Sequence, residues 1–90
     1  MKILIVDDER AIRNSMSEIL SDEGYDVEVA ENGQQACQMV EKEKYDVIFC
    51  DIKMPVMDGV ETLDRLTSMG IDSAIVMISG HAEVSQAVEC

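Results

Sequence analysis

Ninety residues carry seven Lys or Arg against nineteen Asp or Glu, a formal net charge of -12 that argues against direct binding to a nucleic-acid backbone or an anionic membrane. No run approaches the roughly 18 apolar residues of a membrane span, and acidic residues interrupt MKILIVDDE where a secretory signal would continue, so the expectation is a cytoplasmic protein. Cys37, Cys50 and Cys90 are an odd set without C-x-x-C spacing beside a single histidine, which favours neither a disulfide framework nor a structural zinc site.

The length suits one domain, residues 1–90, in which folding buries only about 60 to 65% of the unfolded chain's surface. Ile3 to Val6 is a continuously apolar run that stops at Asp7 and Asp8. Ile12, Met16, Ile19 and Leu20 then share one helical face, and Gly24 ends that helix. Val27 to Ala30 alternates apolar and polar between Asp26 and Glu31, as an edge strand does. Asn32 caps a helix opening near Gly33 and carrying Ala36 and Val40, and the EKEKYD segment from Glu41 to Asp46 reads as that helix's solvated end with no more specific role.

Val47 to Cys50 is again apolar throughout, with Cys50 a small buried hydrophobe, and it stops at Asp51. Pro55 makes the next segment a loop, flanked by Met54 and Met57. Asp58 caps a helix whose stripe is Val60, Leu63, Leu66 and Thr67, and Gly70 closes it. Ala74 to Ile78 is a fourth apolar run, expected to be buried on both faces. Beyond it, Val84, Ala87 and Val88 mark a helix of about two turns. Strands about 20 to 27 residues apart, alternating with helices, predict right-handed crossovers and a parallel sheet covered on both sides. The edge at Ala74 to Ile78 looks unfinished, and a further strand would ordinarily follow.

If the first and third runs are neighbouring parallel strands, Asp7, Asp8 and Asp51 converge at one sheet edge. Three carboxylates so placed repel unless a cation or proton intervenes, which predicts a raised carboxylate pKa and a site suited to a small hard cation such as Mg²⁺. An aspartate left free to react can attack a phosphoryl group to give an acyl phosphate, and Ser79, before Gly80, can offer a hydroxyl to one phosphoryl oxygen. His81 follows that turn and reads as solvent-facing.

ILIVDDE, then VIFCDIKMPVMDG from Val47 to Gly59, then IVMISG from Ile75 to Gly80, resemble in order and spacing the receiver domain of two-component response regulators. The resemblance spans essentially the whole chain. It implies a flavodoxin-like open α/β sheet of order 2-1-3-4, with Asp51 as the phosphoacceptor and Asp8 and Asp51 as carboxylate ligands of Mg²⁺. It makes Asp7 an acidic partner acting directly or through water, the Lys53 carbonyl a further ligand, and Ser79 the hydroxyl that moves toward the phosphoryl group. The donor would be a sensor histidine kinase, and the chain a regulatory module rather than a turnover enzyme. SGHAEVSQAVE is similar to receivers attached to sigma-54-dependent activators of the nitrogen-regulation type.

One departure accompanies these matches. The family's pattern has a fifth strand, ending in a lysine that pairs with the phosphoryl group, and a fifth helix, whereas this sequence stops at Cys90. The expectation is an incomplete receiver that binds Mg²⁺, accepts phosphate poorly on its own, and forms a homodimer through the fourth-strand edge or swapped elements. The competing reading is a cation-binding dimerisation module without a phosphorylation cycle. A haloacid-type hydrolase would need an Asp-x-Asp pair after the first strand, which the sequence lacks.

Overall fold

A computed structural model describes residues 1–51 and 58–78. In chain order it has β1 (Lys2–Val6), α1 (Arg10–Asp22), β2 (Asp26–Ala30), α2 (Gly33–Lys42), β3 (Val47–Asp51), α3 (Gly59–Ser68) and β4 (Ala74–Ile78). The strands form one sheet of order β2-β1-β3-β4, and each neighbouring pair is parallel. This is the α/β architecture and strand order expected above. The helix expected around Val84, Ala87 and Val88 lies outside the described residues.

Local chemistry accounts for the element ends. Asn32 Oδ1 accepts the Gln35 N–H at 2.8 Å, and Asp58 Oδ1 accepts the Glu61 N–H at 2.8 Å, so each side chain satisfies a first-turn donor that the helix itself leaves unpaired. Gly24 and Gly70 follow α1 and α3 with φ of +94° and +71°, a left-handed conformation that side chains with a Cβ resist.

Successive strand residues face opposite sides of the sheet. Leu4, Val6, Ile48 and Cys50 point to the side covered by α2 and α3, where they form the main core with Ala30, Ala36, Tyr45 and Leu66. Ile3 and Ile5 are equally buried on the side where α1 packs over β1 and β2. β4 departs from the expectation of burial on both faces: it is the outermost strand on its side among the described residues, and Val76 is 40% exposed.

Two helices are rotated from the faces their apolar residues suggest. On α3 the buried positions are Gly59, Thr62 and Leu66, while Val60 is 65% exposed. At 100° per residue, positions 59, 62 and 66 fall within an arc of about 60°, whereas 60 and 67 lie about a third of a turn from its centre. Thr62 tolerates the core because its hydroxyl donates back to the Asp58 carbonyl at 2.8 Å. On α1, Ile12, Met16 and Leu20 are partly buried, but Ile19 lies at the margin of the stripe and is 63% exposed.

The EKEKYD segment is also more than a solvated helix end. Tyr45 is buried, its hydroxyl donates to Glu28 Oε1 at 2.6 Å, and its carbonyl accepts from the Ser73 hydroxyl. Lys2 Nζ meets Glu28 at 3.1 Å, pairs with Glu43, and stands 5.7 Å from the Tyr45 ring centroid. The backbone N–H of Lys2 donates to Asp46 Oδ2 at 2.7 Å. Hydrogen bonding from Tyr45 first, and Lys2 after it, lowers the Glu28 pKa, whereas burial and then the Glu28 contact raise that of Tyr45.

Replacing Tyr45 with Phe is expected to destabilise the chain by about 1–2 kcal/mol at neutral pH, since a hydrogen bond to a charged group is lost. Glu28 titrates below its ordinary 4.5 in the folded state, so the stability it contributes is present above that value and lost as pH falls through the folded pKa. Chemical denaturation across pH should therefore show the deficit of Tyr45→Phe shrinking in strong acid; a deficit independent of pH would contradict the role given to Glu28.

Candidate functional site

The site is made by strand ends. β1 and β3 pair in parallel with Val6 opposite Cys50, so the next residue on each strand, Asp7 and Asp51, emerges at the same rim. Both are fully buried, and Asp8 beside them is exposed. One carboxylate oxygen from each of the three lies within 4.8 Å of the others. The convergence expected from the sequence is thus met in space.

Asp7 is held from several directions. Its N–H donates to the Ala30 carbonyl at 3.1 Å, continuing the β1–β2 ladder by one residue. Its Oδ1 accepts the Glu9 N–H at 2.9 Å. Its carbonyl accepts from Arg13 Nη1 at 2.8 Å. Its second carboxylate oxygen, Oδ2, is buried and meets no hydrogen-bond donor among the described residues.

That oxygen matters because a buried carboxylate without a donor is costly when ionised. Burial accordingly raises the Asp7 pKa above its ordinary 3.8. The Glu9 N–H opposes the shift, and the charges of Asp51 and then Asp8 add to it. A raised carboxylate beside two others is the expectation stated from the sequence, and its first cause is desolvation rather than repulsion. Cys50, adjacent to Asp51, donates its thiol to the Asp51 carbonyl at 3.6 Å, and burial pushes its pKa up to about 12, so it remains a neutral packing residue.

An all-oxygen donor set with one buried, undonated oxygen fits a hard divalent cation, which such ligands bind through one or two carboxylates completed by carbonyls and water. Zinc or copper would call for nitrogen or sulfur ligands. Lys53 and Ser79, the other two expected site residues, lie outside the described residues, as do Met54, Met57 and His81.

Arg13 is the site neighbour that sequence reasoning missed. It is only 9% exposed and reaches both the Asp7 carbonyl and, at 3.9 Å, Glu31 Oε1. Its signal was present: a charged residue between Ile12 and Met16 sits on the flank of the apolar stripe, one helical turn after Glu9.

Residues 3–90 match the family described as the response regulator receiver domain. The chain is 41% identical over 88 residues to the response regulator MprA of Mycobacterium leprae, covering 98% of this chain and 39% of that protein. It therefore spans about two fifths of the length of the curated relatives it matches. Among solved structures, the receiver domain of the Francisella response regulator 1452 superposes with a TM-score of 0.84 at 28% identity, covering 98% of this chain and 73% of that one. The Vibrio cholerae chemotaxis protein CheY4 superposes with a TM-score of 0.81 at 37% identity, covering 98% and 75%. With its sheet order, its acidic rim and these relatives in agreement, the chain belongs to the response regulator receiver-domain family.

Proposed function

We propose that this chain is a phosphoacceptor module of a two-component system. Asp51 takes a phosphoryl group from a sensor histidine kinase with Mg²⁺ bound by Asp7, Asp8, Asp51 and the Lys53 carbonyl, and the phosphorylated domain regulates an output domain. The observation that carries the reading is the trio of carboxylates at the ends of β1 and β3. Asp7 brings to that trio a buried oxygen that meets no donor among the described residues, which suits it to hold a cation. Asp51 ends the strand paired with β1 and is the acceptor that the family resemblance implies.

In the transfer, an Asp51 carboxylate oxygen forms a bond to phosphorus while the phosphorus–nitrogen bond of the donor phosphohistidine breaks. The imidazole leaves with the electron pair and is protonated as it departs. Bound Mg²⁺ supplies positive charge to phosphoryl oxygens that would otherwise be repelled by three carboxylates. Asp7 and Asp8 hold the cation at the rim, and the Ser79 hydroxyl donates to a phosphoryl oxygen in this reading. The module is a single-use acceptor in each cycle rather than a turnover catalyst.

β4 supplies the partner surface in the same reading. It is the outer strand on its side among the described residues and carries the 40% exposed Val76, so a second copy can pair with its edge. Sedimentation over a concentration range should then show a monomer–dimer equilibrium; a monomer at every concentration would remove this part of the proposal.

Incubation with a small-molecule phosphodonor and Mg²⁺ should convert a minor fraction of the wild type to the singly phosphorylated mass, since the chain by itself is expected to accept phosphate poorly, and none of Asp51→Asn. Equal labelling of the two proteins would refute the assignment of Asp51.

A thermal assay isolates the cation. The raised folded pKa of Asp7 means that folding favours its protonated form, so this group's contribution is complete below 3.8 and lost as pH rises through the folded value. Without metal, Asp7→Asn should therefore melt higher than wild type at pH 7, with the gap closing in acid. Mg²⁺ at a hundredfold excess over its Kd should stabilise the wild type by about 2.7 kcal/mol and the variant by much less. Equal Mg²⁺ responses would argue against Asp7 as a ligand.

A further inference from the structure

Arg13 is a buried charge for which the phosphoacceptor chemistry has no use. An arginine taken out of water requires partners that fill its donor positions. Here those partners belong to two different turns. Nη1 donates to the Asp7 carbonyl at 2.8 Å, in the β1–α1 turn, and Nη2 lies 3.9 Å from Glu31 Oε1, in the β2–α2 turn. The backbone of Glu31 is held in turn, its N–H donating to Gln35 Oε1 at 2.7 Å at the start of α2, while its side chain is 70% exposed. The Asp7 N–H is bonded to Ala30, the residue before Glu31.

The peptide group joining Asp7 to Asp8 is thus fastened at its carbonyl by Arg13. Asp8 is exposed, so few packing contacts direct it, and the orientation of that peptide group helps set where its Cα–Cβ bond points. We propose that Arg13 is a positioning residue of the metal site: it clamps the Asp7–Asp8 peptide against the β2–α2 turn and so keeps both carboxylates on one centre with Asp51. The inference rests on the reading of these aspartates as Mg²⁺ ligands.

Geometry and charge make opposite demands, which renders the role testable. A guanidinium bonded to a ligand residue repels an incoming cation, so if its charge were all that mattered, removing it would tighten Mg²⁺ binding. If orientation dominates, removing it loosens binding, by the roughly 10- to 100-fold that losing an outer partner costs a metal site.

Mg²⁺ titration by calorimetry on the whole 90-residue chain separates the two. Arg13→Met keeps the apolar volume and loses the donors, and is expected to bind Mg²⁺ at least about 10-fold more weakly than wild type. Arg13→Lys, which retains a donor and the charge, recovers part of that loss. Arg10→Met removes the same charge from an exposed position on the first turn of α1 and should leave affinity unchanged or tighter. Arg13→Met binding as tightly as Arg10→Met overturns the positioning role. A wild type that takes up no Mg²⁺ overturns the metal-site reading beneath it.

Should Arg13→Met fail to fold, the wild type still decides. The Arg13 side-chain N–H resonances are expected to exchange slowly and to move on Mg²⁺ addition. A freely rotating guanidinium, indifferent to Mg²⁺, overturns the proposal.

Discussion

Two carboxylates buried side by side at the ends of β1 and β3 set the terms for the rest of this structure. Asp7 and Asp51 are fully removed from water, and a third carboxylate, Asp8, shares their centre. In the reduced dielectric of a protein interior such charges repel far more strongly than in solution. The backbone offers partial compensation through the Glu9 N–H. A proton or a cation at this rim would lessen the repulsion further, so in the proposed reading the stability of this domain and the occupancy of its site would be linked. A domain this small has little stability in reserve, so the cost of two buried carboxylates weighs heavily on it.

The opposite end of the sheet provides the counterweight. Lys2 gathers carboxylates from β2 and from the end of α2, while its backbone is bonded to Asp46 at the entry to β3 in both directions, Lys2 N–H to the Asp46 side chain and Asp46 N–H to the Lys2 carbonyl at 2.8 Å. Ala74 N–H then donates to the Asp46 carbonyl at 3.0 Å, bringing β4 into the same register. Because a one-residue slip turns every side chain to the other face of a sheet, this fastening determines which strand residues arrive together at the far rim. Five residues along β1 and β3, the consequence is that Asp7 and Asp51 share a rim. Tyr45 joins both jobs, its ring packed in the main core and its hydroxyl held by Glu28.

The covering helices adapt to this sheet rather than to their own hydrophobic residues. α3 presents Gly59, Thr62 and Leu66 inward and leaves Val60 in solvent, and α1 presents Arg13 beside the acidic turn while Ile19 is outside. Each choice exchanges an apolar side chain for a polar one whose hydrogen bond is made at the helix start: Thr62 to the Asp58 carbonyl, Arg13 to the Asp7 carbonyl. Both carbonyls lie at or just before helix N-termini that flank or follow the strands carrying the site. A buried polar group at such a position is accommodated because its hydrogen bond is made.

Much of this was legible in the residues before any fold was known. The apolar runs marked all four strands, Asn32 and Asp58 marked helix starts, Gly24 and Gly70 marked helix ends, and the aspartates closing two runs marked the rim, because each of these signals depends on neighbours within about a turn of chain. The convergence of Asp7, Asp8 and Asp51 needed only the added rule that βα units place their strands in parallel. Three things were decided by the tertiary structure alone: the rotation of α1 and α3 about their axes, the capture of Tyr45 by Glu28 across 17 positions of sequence, and the bond from Arg13 to the Asp7 carbonyl. Local pattern specifies where a helix or strand runs, but which side of it faces the core, and which polar group finds a partner there, is settled by surfaces distant in sequence that meet only when the sheet closes against its helices.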